Sequence, residues 1–191
     1  MNRALRRQLA REMRGRSIID SWAVCLRAAR QFGGPLAEDE RALSDRVVAA
    51  HSGSVWYHGG VAGFGPGDLL LPPAITGADP RGVGDSLPNR MHRVFFSDQI
   101  EDARRFANQC RGGGAVYRVE PMGEIEMDAP LLRALLLYRQ KHPQCMDLSF
   151  IRNMPLRGFC APKARVVEVV VAAPPIACEN STRARASTAR G

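Results

Sequence analysis

The sequence predicts an α+β protein, with a helical N-terminal extension followed by a compact mixed or antiparallel pair of sheets. Three observations carry this. Apolar residues recur at helical spacing up to about residue 50. From residue 54 the pattern changes to short β-branched and aromatic runs separated by glycine and proline. There is no strand–helix–strand regularity, P-loop, or GxGxxG after a strand, which argues against a Rossmann or nucleoside-triphosphate fold.

The elements follow in order. Residues 3–15 (RALRRQLAREMRG) read as a short basic helix stopped by Gly15. Ser17 can cap the next helix, over 17–32, with Asp20 three residues on as its capping partner. Its apolar stripe is Ile18, Ile19, Trp22, Ala23, Leu26 and Ala29, and Gly33-Gly34-Pro35 ends it. A third helix over 37–51 starts acidic, at Glu38, Asp39 and Glu40, which suits the helix dipole.

Strands are expected at 54–58, 68–71, 92–97, 114–120, 123–127 and 164–172, the last almost wholly apolar and therefore central. Residues 98–110 make an amphipathic helix with Ile100, Ala103, Phe106, Ala107 and Cys110 on one face and Ser97 or Asp98 at its start. Residues 131–142 make a more hydrophobic helix ended by Pro143. Before the first of these helices, residues 72–91 hold four prolines, show no periodicity and read as a long loop. The organisation is thus a basic helical extension (1–50), an α+β domain (51–175) and a disordered basic tail (176–191).

Charge and cysteine content narrow the classes. The net charge of +8 on 191 residues sits at the ends. Residues 1–30 carry eight arginines against Glu12 and Asp20, a net of +6, and residues 176–191 a net of +2. The sixteen basic and sixteen acidic residues between them cancel. Such arms can touch nucleic acid or an acidic surface, or serve only as solubilising extensions. No apolar run reaches the roughly 18 residues of a membrane helix, and no secretory leader pattern opens the chain, so a cytoplasmic protein is expected.

The five cysteines form no CxxC and read as reduced thiols. A zinc site from His142, Cys145 and Cys160 would match no ligand spacing, so no metal is expected. No cysteine lies in a recognisable nucleophile context either, which sets aside a Cys/His hydrolase.

Three stretches concentrate chemistry. Val55-Trp56-Tyr57-His58-Gly59-Gly60 is a strand running into a histidine and a glycine pair that ends it, followed by the turn Gly67-Asp68-Leu69. His92-Arg93-Val94-Phe95-Phe96-Ser97 is an aromatic strand leading into the helix at 98–110. Val119-Glu120-Pro121-Met122-Gly123 leads into an acidic run that ends at Asp128. In this order and spacing the set resembles the rifamycin ADP-ribosyltransferase family, over roughly residues 54–128 and more weakly 158–172.

The resemblance implies a split β-sandwich of the mono-ADP-ribosyltransferase type with a cleft for NAD⁺ as co-substrate. It implies that His58, with Gly59 and Gly60, holds the NAD ribose. It places Phe95, with Phe96 beside it, where the family's tyrosine supports the nicotinamide, and makes Asp128 the acidic catalytic residue beside His58. The acceptor it implies is a small molecule such as a rifamycin-type antibiotic. Alternatives are a macromolecular acceptor approached through the basic arms, or an NAD-binding module without turnover.

The chemistry fits those residue types. Breaking the nicotinamide–ribose bond builds oxocarbenium-like charge on the ribose, which a nearby carboxylate stabilises. The histidine donates to sugar oxygens and orients the ribose. An aromatic face stacks on the nicotinamide while the cleft excludes water. Three departures from the family are plain: phenylalanine for tyrosine at 95, glycine for threonine at 60, and an inserted segment over 129–157.

Simpler roles stand beside these. A Phe-Phe pair in a strand commonly serves the core, and Glu120, Glu124 and Glu126 suit a solvated strand face. Asp128 before Ala129-Pro130 suits a helix N-cap, and His92 a structural position.

Overall fold

The computed structural model describes residues 7–8, 11–12, 14, 18–30, 36–78, 91–110, 113–141 and 158–171. Among these lie helices α1 (Ile18–Ala29), α2 (Glu38–Ala50), α3 (Pro73–Thr76), α4 (Ile100–Ala107) and α5 (Ala129–Lys141). The strands are β1 (Trp56–Val61), β2 (Leu69–Leu70), β3 (Val94–Phe96), β4 (Gly114–Met122), β5 (Glu126–Met127), β6 (Phe159–Ala161) and β7 (Lys163–Val171). They form two antiparallel sheets, β1-β4-β7-β2 and β3-β6-β5. The α+β class is therefore the one observed.

Among the described residues, two links join the sheets. Pro162 separates β6 from β7, so the stretch from Phe159 to Val171 divides between the two sheets. A single antiparallel bridge, Tyr57 to Ser97, links β1 to β3 with backbone bonds of 2.7 and 2.9 Å. β1 also differs from expectation. It continues through Gly59 and Gly60, which pair with Val116 and Ala115, so the glycines lie within the strand instead of ending it.

α1 packs on α5, with the Trp22 and Tyr138 rings edge-on at 6.2 Å. Its buried arc is Ser21, Trp22, Val24, Cys25, Ala28 and Ala29, while Ala23, expected on the apolar stripe, is exposed. At about 100° per residue, Ala23 falls on the far side of the helix from Cys25, the middle of the arc that α5 covers. The side chains of Ile18 and Ile19 lie outside the description.

α2 is held by three contacts. Arg133 of α5 makes two 3.0 Å bonds to the Glu40 carboxylate. The Ser44 hydroxyl accepts the Met127 N–H at 2.9 Å. His51, which closes the helix, donates from Nδ1 to the Val47 carbonyl at 2.7 Å and places Nε2 3.6 Å from Asp98. Burial pushes the Glu40 carboxyl up, but the hydrogen bonds from Arg133 and Ala37 and the Arg133 charge more than reverse this, leaving it below its ordinary value. One buried cluster contains Trp22, Cys25 and Val47 together with Phe96, Tyr117, Phe159 and Val166. The pattern change near residue 50 is thus a change of element type, and the core runs across it.

Several expectations fall partly or wholly on other residues. Of the basic helix over 3–15, Arg7-Gln8 and Arg11-Glu12 are helical, with Gln8 donating to Glu12 at 2.8 Å. The 72–91 loop contains α3, closed by Gly77 at φ 69°, and residues 79–90 lie outside the description. So do His142, Cys145, Cys178 and the 176–191 tail. Cys25, Cys110 and Cys160 are free thiols, and burial raises Cys25 to about 11. Among the described residues no helix is long and apolar enough to cross a membrane.

Candidate active site

β1 carries two different faces. Gly59 points at α4, where any Cβ would run into the Ala103 carbonyl and approach the Ala107 nitrogen at 2.9 Å. Gly114, across the pairing on β4, meets the Ala107 carbonyl in the same way. These glycines let α4 lie directly on the backbone of β1 and β4, where Ala103, Ala107 and Val116 form a small second core. Glycine at 59 is therefore required by helix packing, a reason unrelated to a cofactor.

The other face belongs to His58. Its ring lies over Gly60, where an added Cβ would stand 2.5 Å from Nε2. Nδ1 is 2.7 Å from the Phe95 carbonyl. A carbonyl only accepts, so Nδ1 carries the proton and donates. Burial lowers the His58 pKa, and the Phe95 bond only partly offsets it. The ring is then neutral near pH 7 and presents Nε2 as an acceptor. In this tautomer Nε2 can accept a hydrogen bond and cannot donate one. The Tyr117 ring, directly opposite on β4, lies 6.4 Å away and is tilted by 25°.

The bond to Phe95 sits where the sheets part. The ladder between β1 and β3 consists of the Tyr57–Ser97 bridge. One residue further along β1 and two back along β3, the His58 side chain takes over and reaches the Phe95 carbonyl.

Phe95 and Phe96 divide the aromatic duties. Phe96 is 4% exposed and packs on Trp56 at 5.2 Å, which in turn packs on Phe159 at 4.8 Å. Its ring is packed into the core. Phe95 is half-buried and pairs with Cys160, which pairs with Glu126.

Asp128 follows β5. Its N–H continues the ladder to the Gly158 carbonyl at 2.9 Å, and its own carbonyl accepts from Leu132 at 2.9 Å, the first turn of α5. It therefore occupies the N-cap position, the structural role foreseen for it, and is 7% exposed. Strand alternation places Asp128 on the same face of the sheet as Glu126 and Phe95. Gly158 keeps the space beside it open: an added Cβ would press on Leu131 at 2.9 Å and stand 3.5 Å from the Asp128 Cβ.

The structure thus joins His58 directly to Phe95 and places Phe95 and Asp128 in one sheet. β3 and β6 stand between His58 and Asp128. The other acidic residues serve the strand surface. Glu126 pairs with Arg93 at 2.9 Å and Glu120 with Arg165 at 3.4 Å, while His92 is exposed. Sequence reading missed Tyr117, because its place opposite His58 depends on the β1–β4 register, which the local pattern does not encode. No protein-family model matches the chain, and no curated protein is significantly similar to it.

Proposed function

We propose that this chain is an NAD-dependent mono-ADP-ribosyltransferase whose two sheets form a split β-sandwich of that type. The observation that carries the reading is the 2.7 Å bond from His58 Nδ1 to the Phe95 carbonyl. It fixes a neutral imidazole where the two sheets part, with Nε2 free to accept a ribose hydroxyl. The ordered motifs around His58, Phe95 and Asp128 supply the rest of the support.

In this reaction NAD⁺ binds with its ribose on His58 and its nicotinamide against the Phe95 ring. The bond between ribose C1′ and the nicotinamide nitrogen breaks, and its electron pair leaves with nicotinamide. Asp128 stabilises the positive charge that builds on the ribose. The acceptor then bonds to C1′ and releases its proton. Helix α5, which starts immediately after Asp128, ties that carboxylate to the packed core and holds it in register with β6.

The test is incubation with labelled NAD⁺ and three acceptors: a rifamycin-type antibiotic, a protein lysate and nucleic acid. Nicotinamide release with label on one acceptor is the expected result, and Asp128→Asn should keep the fold and remove transfer. Full activity in that variant would sink the role of Asp128. Absence of both NAD⁺ binding and nicotinamide release would sink the enzyme.

A second reading, an NAD⁺-binding module without turnover, is favoured by one feature: Phe95 lacks the hydroxyl of the tyrosine the family has there. It would show NAD⁺ binding in calorimetry and no nicotinamide with any acceptor. A truncation probing the basic arm for a macromolecular acceptor should stop before Ile18, because α1 contributes Trp22 and Cys25 to the core.

A further inference from the structure

We propose that Tyr117 is a positioning residue for His58. Its ring supports the imidazole while its hydroxyl pins the turn after β1, and together they hold Nε2 toward a ligand hydroxyl. The inference rests on the reading of His58 as the ribose-binding group.

Tyr117 is fully buried, yet its hydroxyl is committed to one short segment. It donates to the Val61 carbonyl at 2.8 Å and accepts from the Phe64 N–H at 3.4 Å. The Phe64 ring stands edge-on to it at 5.9 Å, and Gly63 at φ 116° turns the chain back between the two contacts.

The far end of the same loop is fixed independently. Gly65 N–H donates to the Asp68 carboxylate at 2.7 Å, and Gly67 and Asp68 exchange backbone bonds with Val166 at 2.8 Å each. Only the head of the loop, beside the His58 strand, depends on the phenol. The described groups facing the imidazole are the Phe95 carbonyl from β3, the Tyr117 phenol from β4, and Gly60 of its own strand. Releasing the turn therefore leaves the direct partners of the ring in place.

Tyr117→Phe separates the two halves of this role, since it keeps the ring and deletes the hydroxyl. Three readouts are taken: thermal stability, the KM and kcat for NAD⁺ turnover, and the His58 titration followed by NMR of the imidazole. We expect KM to rise about tenfold with kcat within about twofold, the signature of lost ground-state positioning. We expect the His58 midpoint to move up toward the ordinary histidine value as water reaches the ring.

Unchanged KM together with an unchanged His58 titration would overturn the proposal and leave Tyr117 as a core residue. If Tyr117→Phe fails to fold, Phe64→Ala loosens the same turn by removing its half-buried ring and is held to the same two outcomes. If the wild-type chain neither binds nor turns over NAD⁺, the enzymatic reading fails by itself. The His58 titration in the variant then decides the role of Tyr117 alone.

Discussion

Gly59 and Gly60 are chain neighbours with the same absent side chain, and the fold uses the two absences differently. On one face of β1 the space is filled by the backbone of α4, at the Ala103 carbonyl. On the other it is filled by the end of the His58 ring. The first neighbour is backbone and cannot yield; the second is the tip of a side chain that can rotate. One glycine therefore protects the packing of α4 and the other the orientation of the His58 ring.

The largest effect should come from Gly59→Ala. A methyl group there must displace α4 from the sheet, and overpacking of this kind costs about 3 kcal/mol or more. Chemical denaturation should show a strongly destabilised or unfolded chain. Native-like stability would mean that α4 does not lie against β1 as described.

Gly60→Ala should act on the other property. The ring must swing away from the Phe95 carbonyl, losing one hydrogen bond of about 1 kcal/mol, while the sheet stays intact. The expected outcome is near-normal stability with NAD⁺ affinity reduced about tenfold in calorimetry, equivalent to about 1.4 kcal/mol. Equal loss of stability in both variants would erase the distinction between the two faces.

The smallest effect is a pH dependence confined to the His58 face. The folded-state pKa of His58 is lowered, so the unfolded chain binds this proton more readily than the native one. Stability therefore falls as pH drops from about 6.5 to the lowered folded value, and levels off below it. His58→Asn should flatten this slope by one proton in denaturation curves taken at several pH values. Ligand binding that needs the neutral ring should weaken only at more acid pH, as it falls through the lowered folded value.

The two glycines also show what a sequence reveals. The Gly59-Gly60 pair, the histidine before it and the strand leading into it are all visible in Val55-Trp56-Tyr57-His58-Gly59-Gly60. That the strand runs on through the glycines is not, because Val116 and Ala115, which hold them in the ladder, lie far along the chain. Helices announced themselves by local period, so α2 and α4 fall within the expected ranges.

The three-residue β6 was too short to signal a strand of its own, and Pro162 hid the passage from one sheet to the other. Among candidate site residues, the residue types were legible and their directions were not. Phe95 and Phe96 are identical in the sequence, and only pairing with β6 and contact with Trp56 assign one to the core.

The bond from Met127 N–H to the Ser44 hydroxyl has a consequence beyond holding α2. β5 is the outermost strand of its sheet, and alternate N–H groups of such a strand point away from their own ladder. The Asp128 N–H turns inward to Gly158, while that of Met127 turns outward, where an incoming strand would otherwise bind. Ser44 occupies that position, so at Met127 the margin of the sheet is met by a helix instead of another strand. A helix of the segment that reads as an N-terminal extension thereby caps one outward N–H of β5.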